Sequence, residues 1–324
     1  MSSDLLTVGT AAARPGQRAT GHLVAGQHVD GSPIRIPLHL VCGAQPGPVL
    51  WAQGACHGDE YDGTAAILRL LGELDPARMA GSLVAVPVAN LSAYLNASRV
   101  SPVDGKDLNR FYPGDPQGTY TDRLAHLLQQ EVSRVASHFI EHHGGGNTHD
   151  VVYYTLHCSH PGPTEAVRAM CDAMGAPIVW ASQDTWLQNS LFHRLHTQGI
   201  KAVLLECGGE GRLHRQNVQD HYDGLRNLMI HLGMLPGQAP ANAQPVQHRV
   251  KRADFFFSEQ GGLVTLLAGR GAVIERDQPL ALITDLSGSV VETFRCRVDR
   301  GIILAIRTYG TVPSGGSVAL VGQL

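Results

Sequence analysis

The sequence predicts an α/β fold: a mostly parallel central sheet flanked by helices, followed by a small all-β domain. Three observations carry this. Short apolar runs alternate with amphipathic helical spacing from about residue 48, a Pro-, Gly- and Ala-rich stretch interrupts the pattern at 236–245, and glycines then recur between short β-branched runs.

The elements follow in order. Before Pro48 the chain reads as β, with Gly31 between two short runs as a hairpin turn. Pro48–Gly54 reads as a strand, and Asp62–Leu74 as a helix with Ala66, Ile67, Leu70 and Leu71 on one face. Ser82–Val88 is the next strand, its proline marking an edge or bulge. Thr121–Ala136 places Leu124, Leu127, Leu128, Val132 and Val135 at helical spacing. Strands are expected before His143 and over Val151–Thr155, then helix, strand and helix over Ala166–Met174, Pro177–Ala181 and Ser190–Thr197. Lys201–Glu206 is a buried strand and Val218–Leu232 a long helix. A linker at 236–245 divides a catalytic domain, 1–240, from a β-rich C-terminal domain, 241–324.

Composition narrows the function. The chain has 324 residues, 43% hydrophobic and 16% charged, with a formal net charge of −3, which argues against disorder and against nucleic acid as a partner. The N-terminus lacks a basic and apolar leader pattern, and no apolar run approaches about 18 residues, so a soluble, cytoplasmic protein without membrane partners is expected. The cysteines Cys42, Cys56, Cys158, Cys171, Cys207 and Cys296 form no C-x-x-C pair and read as buried thiols. Cys56 and Cys207 adjoin candidate site residues, which leaves a sulfur-nucleophile hydrolase as a remote alternative.

Chemistry is expected at strand ends, where open α/β sheets bind ligands. His57 and Glu60 follow the strand ending near Gly54, and Gly58 permits the turn that would bring an imidazole and a carboxylate to one ion. Two ligands underfill a hydrolytic zinc, so a distant third is required. His143, at a strand end before Gly144-Gly-Gly, is the first choice, because strand alternation sends His142 to the opposite face; His142, His149 and His157 remain alternatives. The glycines would leave room for substrate. Asn109 and Arg110, in Asp107-Leu-Asn-Arg-Phe-Tyr-Pro-Gly, suit a carboxylate through the planar guanidinium fork and an extra amide donor. Glu206 closes the strand Lys201–Glu206.

These pieces together resemble the succinylglutamate desuccinylase/aspartoacylase family, a branch of the zinc carboxypeptidase-like clan, over nearly the whole chain. The matching motifs are Gly54-Ala-Cys-His-Gly-Asp-Glu-Tyr-Asp-Gly, the stretch from Arg99 to Gly114, the segment around His143, and Leu204-Leu-Glu-Cys-Gly-Gly. The resemblance implies one zinc held by His57, Glu60 and His143, Glu206 as general base, Arg99 polarising the scissile carbonyl, and Asn109 and Arg110 holding a substrate carboxylate. It implies a deacylase for a small N-acyl substrate, N-acetyl-diaminobutyrate among the candidates. A metallocarboxypeptidase for short peptides and a zinc-containing non-catalytic binding protein are the alternatives.

The chain departs from the family pattern in having Glu141-His-His-Gly-Gly where Asp-Leu-His-Ser/Thr-Gly is common, and Glu210 where glycine is common; both suggest a pocket altered for a substrate with a cationic or amine-bearing group. The C-terminal domain resembles a barrel-sandwich module. No lysine follows Lys251, so it is no swinging-arm carrier; it is expected to cap the active site or build a homo-oligomer.

Overall fold

The computed structural model describes residues 5–238 and 246–324. The linker expectation from residue 239 on, and with it the boundary near 240, lies outside the described residues.

The largest sheet among the described residues has 13 strands and is mixed. Its centre runs in the order Arg300–Arg307, His149–Cys158, Lys201–Gly209, His138–His143, Gln45–Gln53, Ala80–Val86, Pro33–Cys42, Arg18–Gln27. Gln45–Gln53, Ala80–Val86, His138–His143 and Lys201–Gly209 are mutually parallel. His149–Cys158 runs antiparallel to Lys201–Gly209, and Pro33–Cys42 antiparallel to Ala80–Val86. The expected mostly parallel sheet is therefore corrected to a mixed one. The physical reason is the connection from His143 to His149, too short for a crossover helix, which returns the chain in the opposite direction.

Strand alternation splits the interior in two. Trp51, Phe139 and Leu204 face one core with Leu124, Leu128, Val132, Leu191 and Leu195 from helices Tyr120–Val135 and Leu191–Thr197. Leu50, Ile140 and Leu205 face the other, packed on Ile67, Val167 and Leu225 from helices Asp62–Glu73, Thr164–Ala173 and Arg215–His231. This is a parallel centre buried on both faces, as near-continuous apolar strands require. The last of these helices starts three residues before the expected Val218, because Arg215, Gln216 and Asn217 carry no apolar signal.

At the N-terminal side, Arg18–Gln27 and Pro33–Cys42 form the hairpin, with Gly31 at φ +81° in its turn. Beyond residue 246 the chain is all β. Val290–Arg295, Pro279–Thr284, Gly262–Leu266 and Thr311–Val312 make a separate sheet, while Ala253–Phe257, Ser317–Gln323 and Arg300–Arg307 extend the large one. Phe256, Ile283, Phe294, Ile303 and Val318 fill the core between them. Arg300–Arg307 docks on His149–Cys158 through the register Ala305↔Val151.

Candidate active site

Three strand ends build the site. After Gln45–Gln53 the chain turns through Gly58, where a Cβ would come within 2.0 Å of the Ala93 carbonyl carbon, so only glycine fits. That turn carries His57 and Glu60 inward to 3% and 5% exposure. On the next parallel strand, Glu206 is the direct register partner of His143, so both side chains leave the same face.

Two imidazoles converge on one carboxylate. His57 Nδ1 lies 2.7 Å from Glu60 Oε1 and His143 Nδ1 2.9 Å from Glu60 Oε2, with the rings 5.0 Å apart. The far nitrogens face further acids: His57 Nε2 is 3.0 Å from Asp107 Oδ1, and His143 Nε2 3.3 Å from Glu141 Oε2. Each ring thus offers Nδ1 to a shared centre with a carboxylate beside its other nitrogen, hydrogen-bonded for His57 and within ion-pair distance for His143, the arrangement that orients metal-binding histidines. Glu141 is itself fixed, because Gln53 Nε2 donates to its Oε1 at 2.7 Å and Trp51 Nε1 donates to Gln53 Oε1 at 3.0 Å.

Charge follows geometry. Burial and Arg99 push the His57 imidazole towards neutrality, but Glu60 and Asp107 outweigh them and raise its pKa. Burial likewise works against a charged His143, and Glu141 and Glu60 overcome it. Glu60 stays ionised well below the usual range despite burial, held by the two imidazoles. The cluster therefore has more negative charge than neutral imidazoles can balance, and its donor set of two imidazole Nδ1 atoms and one carboxylate suits a divalent cation such as zinc. The ligand atoms of His57, Glu60 and His143 all lie within 4.8 Å of one another.

The cluster opens on a cavity of about 110 Å³. His57, Glu60 and His143 line it together with Arg99, Asn109, Arg110 and Glu206. Arg99 reaches Asp107 at 3.2 Å and Glu60 at 3.6 Å, and remains 44% exposed along its side chain. Arg110 donates to the Asn109 carbonyl at 2.8 Å, with its guanidinium 5.3 Å from the Trp186 ring centre. Burial pushes the Glu206 carboxyl up to about 7, against the pull of His143, which places its proton exchange near neutrality. Tyr154, Trp180, Trp186 and Phe255 supply an apolar wall, and Phe255, Ala305 and Leu320 come from the C-terminal strands.

The structure thus brings every site residue expected from the sequence to one cavity. It separates the alternatives. His142 points to the opposite face, its Nδ1 3.0 Å from His221 Nδ1. His149 lines the cavity but pairs with Thr148 and Ser317 through its ring nitrogens. His157 sits at the far end of its strand. Glu141 stands behind His143, and Glu210 pairs with His214 at 2.7 Å, so neither acid lines the cavity as an amine-binding group would. Of the glycines after His143, Gly144 and Gly145 line the cavity, and packing constrains the run as well: a Cβ on Gly145 would sit 2.1 Å from the His149 carbonyl oxygen, and Gly146 has φ +55°. Cys56 lies within 4.8 Å of Glu141 and His143, and Cys207 donates to Asn217 and Asp220, but burial and then the neighbouring carboxylates push both thiols well above their usual range.

Residues the sequence did not assign include Asp107, Gln53 and the aromatic wall. Asp107 stood two positions before Asn109 in a motif already singled out, so its role was within reach; Phe255 had no local signal at all.

A mixed α/β sheet whose strand ends gather a metal-competent cluster, a half-buried carboxylate and two arginines around a small-molecule cavity defines the class. Residues 46–232 match the model of the succinylglutamate desuccinylase/aspartoacylase catalytic domain, and the chain belongs to that family of deacylases. It is 27% identical over 296 residues to the N-alpha-acetyl-L-2,4-diaminobutyric acid deacetylase of Halomonas elongata, spanning 90% of this chain and 86% of that one. Among solved structures, the product-bound ectoine utilization protein EutE (DoeB) of Ruegeria pomeroyi superimposes with TM-score 0.87 at 27% identity over 100% of both chains. A succinylglutamate desuccinylase/aspartoacylase of Rhodobacter sphaeroides does so with TM-score 0.85 at 26% identity, covering 94% of this chain and 95% of that one. Among the described residues no helix is long and apolar enough to cross a membrane.

Proposed function

We propose that this protein is a zinc-dependent deacylase that hydrolyses the amide of a small N-acylated amino acid, with N-acetyl-2,4-diaminobutyrate as the first substrate to try. The observation that carries the reading is the convergence of His57, Glu60 and His143 on the cavity that Glu206, Arg99 and Arg110 also line. The name of the Halomonas elongata relative supports the choice of substrate.

His57, Glu60 and His143 would hold the zinc. Bound there, it supplies a Lewis acid that polarises a carbonyl and makes water more acidic. Glu206 takes a proton from the attacking water and returns it to the leaving nitrogen, a task suited to a carboxyl poised near neutrality. Arg99 offsets the negative charge that develops on the carbonyl oxygen. Arg110 and Asn109 grip the substrate carboxylate, and Trp186 packs on the guanidinium to limit its swing. The aromatic wall excludes water from the remaining side of the substrate.

The test is a zinc assay combined with amine release from N-acetyl-diaminobutyrate, N-acetylaspartate, N-succinylglutamate and dipeptides. The expected result is turnover of an N-acyl amino acid, lost by about 100-fold or more in Glu206→Gln. Cleavage of dipeptides alone would make the protein a carboxypeptidase, and zinc binding with no turnover would make it a binding protein.

A further inference from the structure

At the opposite end of the sheet from the cavity, a second set of metal-ligating side chains meets. Cys158 ends the strand that His149 begins, His160 follows in the next turn, and His193 comes from helix Leu191–Thr197. Their ligand atoms all lie within 4.8 Å of one another. None of them belongs to the site described above.

The hydrogen bonding is what singles this place out. His193 is 9% exposed, yet neither of its ring nitrogens makes a well-formed hydrogen bond, with only the Gln188 backbone nearby; His160 Nε2 has no partner among the described residues. The two rings meet edge to face at 5.3 Å. Beside them His196, fully buried, uses Nε2 on the His160 carbonyl at 3.0 Å and leaves Nδ1 unpartnered. Buried polar nitrogens normally find partners, and several orphaned imidazole nitrogens beside one buried thiol are a departure with a chemical meaning. No carboxylate belongs to the group, unlike the cluster at the cavity.

We propose that Cys158, His160 and His193 form a second metal site, for a borderline-to-soft divalent ion of the zinc type. One thiolate and two imidazoles are a donor set such an ion takes readily, with a water completing four-coordination. Binding converts the Cys158 thiol to the thiolate and releases its proton to solvent, while each imidazole coordinates through a neutral nitrogen. The role is structural. The ion ties the strand end at Cys158 to helix Leu191–Thr197, and the turn just before that helix, Thr185–Leu187, presents Trp186 and Leu187 to the cavity. It therefore fixes one cavity wall from behind.

The experiment loads full-length protein with zinc, removes the excess, and measures metal per chain in wild type, Cys158→Ser, His193→Asn, Cys56→Ser and His57→Ala. About two zinc ions are expected in wild type and Cys56→Ser, and about one in the other variants. Cobalt loading gives a second readout: thiolate-to-cobalt charge-transfer absorption should appear in wild type, Cys56→Ser and His57→Ala and vanish in Cys158→Ser. Circular dichroism of Cys158→Ser and His193→Asn guards against misfolding. Equal metal content in wild type, Cys158→Ser and His193→Asn overturns the site, as does absorption that survives Cys158→Ser. A single ion lost in Cys158→Ser but kept in His57→Ala would uphold this site and sink the zinc deacylase reading instead.

Discussion

His142 and His143 are adjacent on one strand and equally buried, at 1% and 3% exposure, yet they live in opposite electrostatic worlds. His143 faces Glu141 and Glu60, which raise its pKa against burial. His142 faces His221 and the backbone of helix Asp62–Glu73, and burial followed by His221 keeps it neutral. Residue type and depth are the same; the neighbouring carboxylates decide. One face of the strand surrounds its histidine with carboxylates; the other sets its histidine against a second neutral imidazole.

The largest expected effect separates the two faces outright. His143→Ala should lose the zinc of the cavity cluster, about one ion per chain, and nearly all deacylase activity, whereas His142→Ala should keep both; full metal content in the first and a loss of one ion in the second, in a metal assay, would invert the comparison. Next comes the acid behind the ligand. Glu141→Gln leaves the volume unchanged but removes the charge on the outer side of His143, and a loss of about 10- to 100-fold in zinc affinity is expected, read by competition with a chelator.

The apolar face answers to packing instead. A Cβ on Gly63 would lie 2.4 Å from the His142 Cβ, so Gly63→Ala should lower stability by about 1–3 kcal/mol in denaturant unfolding, with zinc binding intact. The smallest effect is on pH. His221, lowered to about 4 by burial, binds fewer protons folded than unfolded between about 4 and 6.5. Its contribution is present in full above 6.5 and is lost as pH falls towards 4, so the unfolding midpoint should drop over that window. The drop should shrink in His221→Phe.

Much of this contrast was legible in the sequence. The period of two in a strand puts His143 and His142 on opposite faces whatever the fold, and it did so here. What could not be read is pairing. Apolar runs do not encode strand direction, so His149–Cys158 looked like one more parallel strand, although its short connection to His143 held the clue. Glu141 looked like a pocket residue because nothing local says that Gln53, 88 positions earlier, donates to it. Arg99, Arg110 and Glu206 were found by their motifs, while Phe255, Ala305 and Leu320 carry no motif and reach the cavity only through the docking of Arg300–Arg307 on the central sheet.

That docking bears on how the molecule is made. His57, Glu60, His143 and Glu206 all precede residue 207 in the chain, but Leu320 of the cavity wall lies in Ser317–Gln323, far later in synthesis. The cluster can assemble while synthesis is still under way. The chamber around it closes only once those later strands have been made.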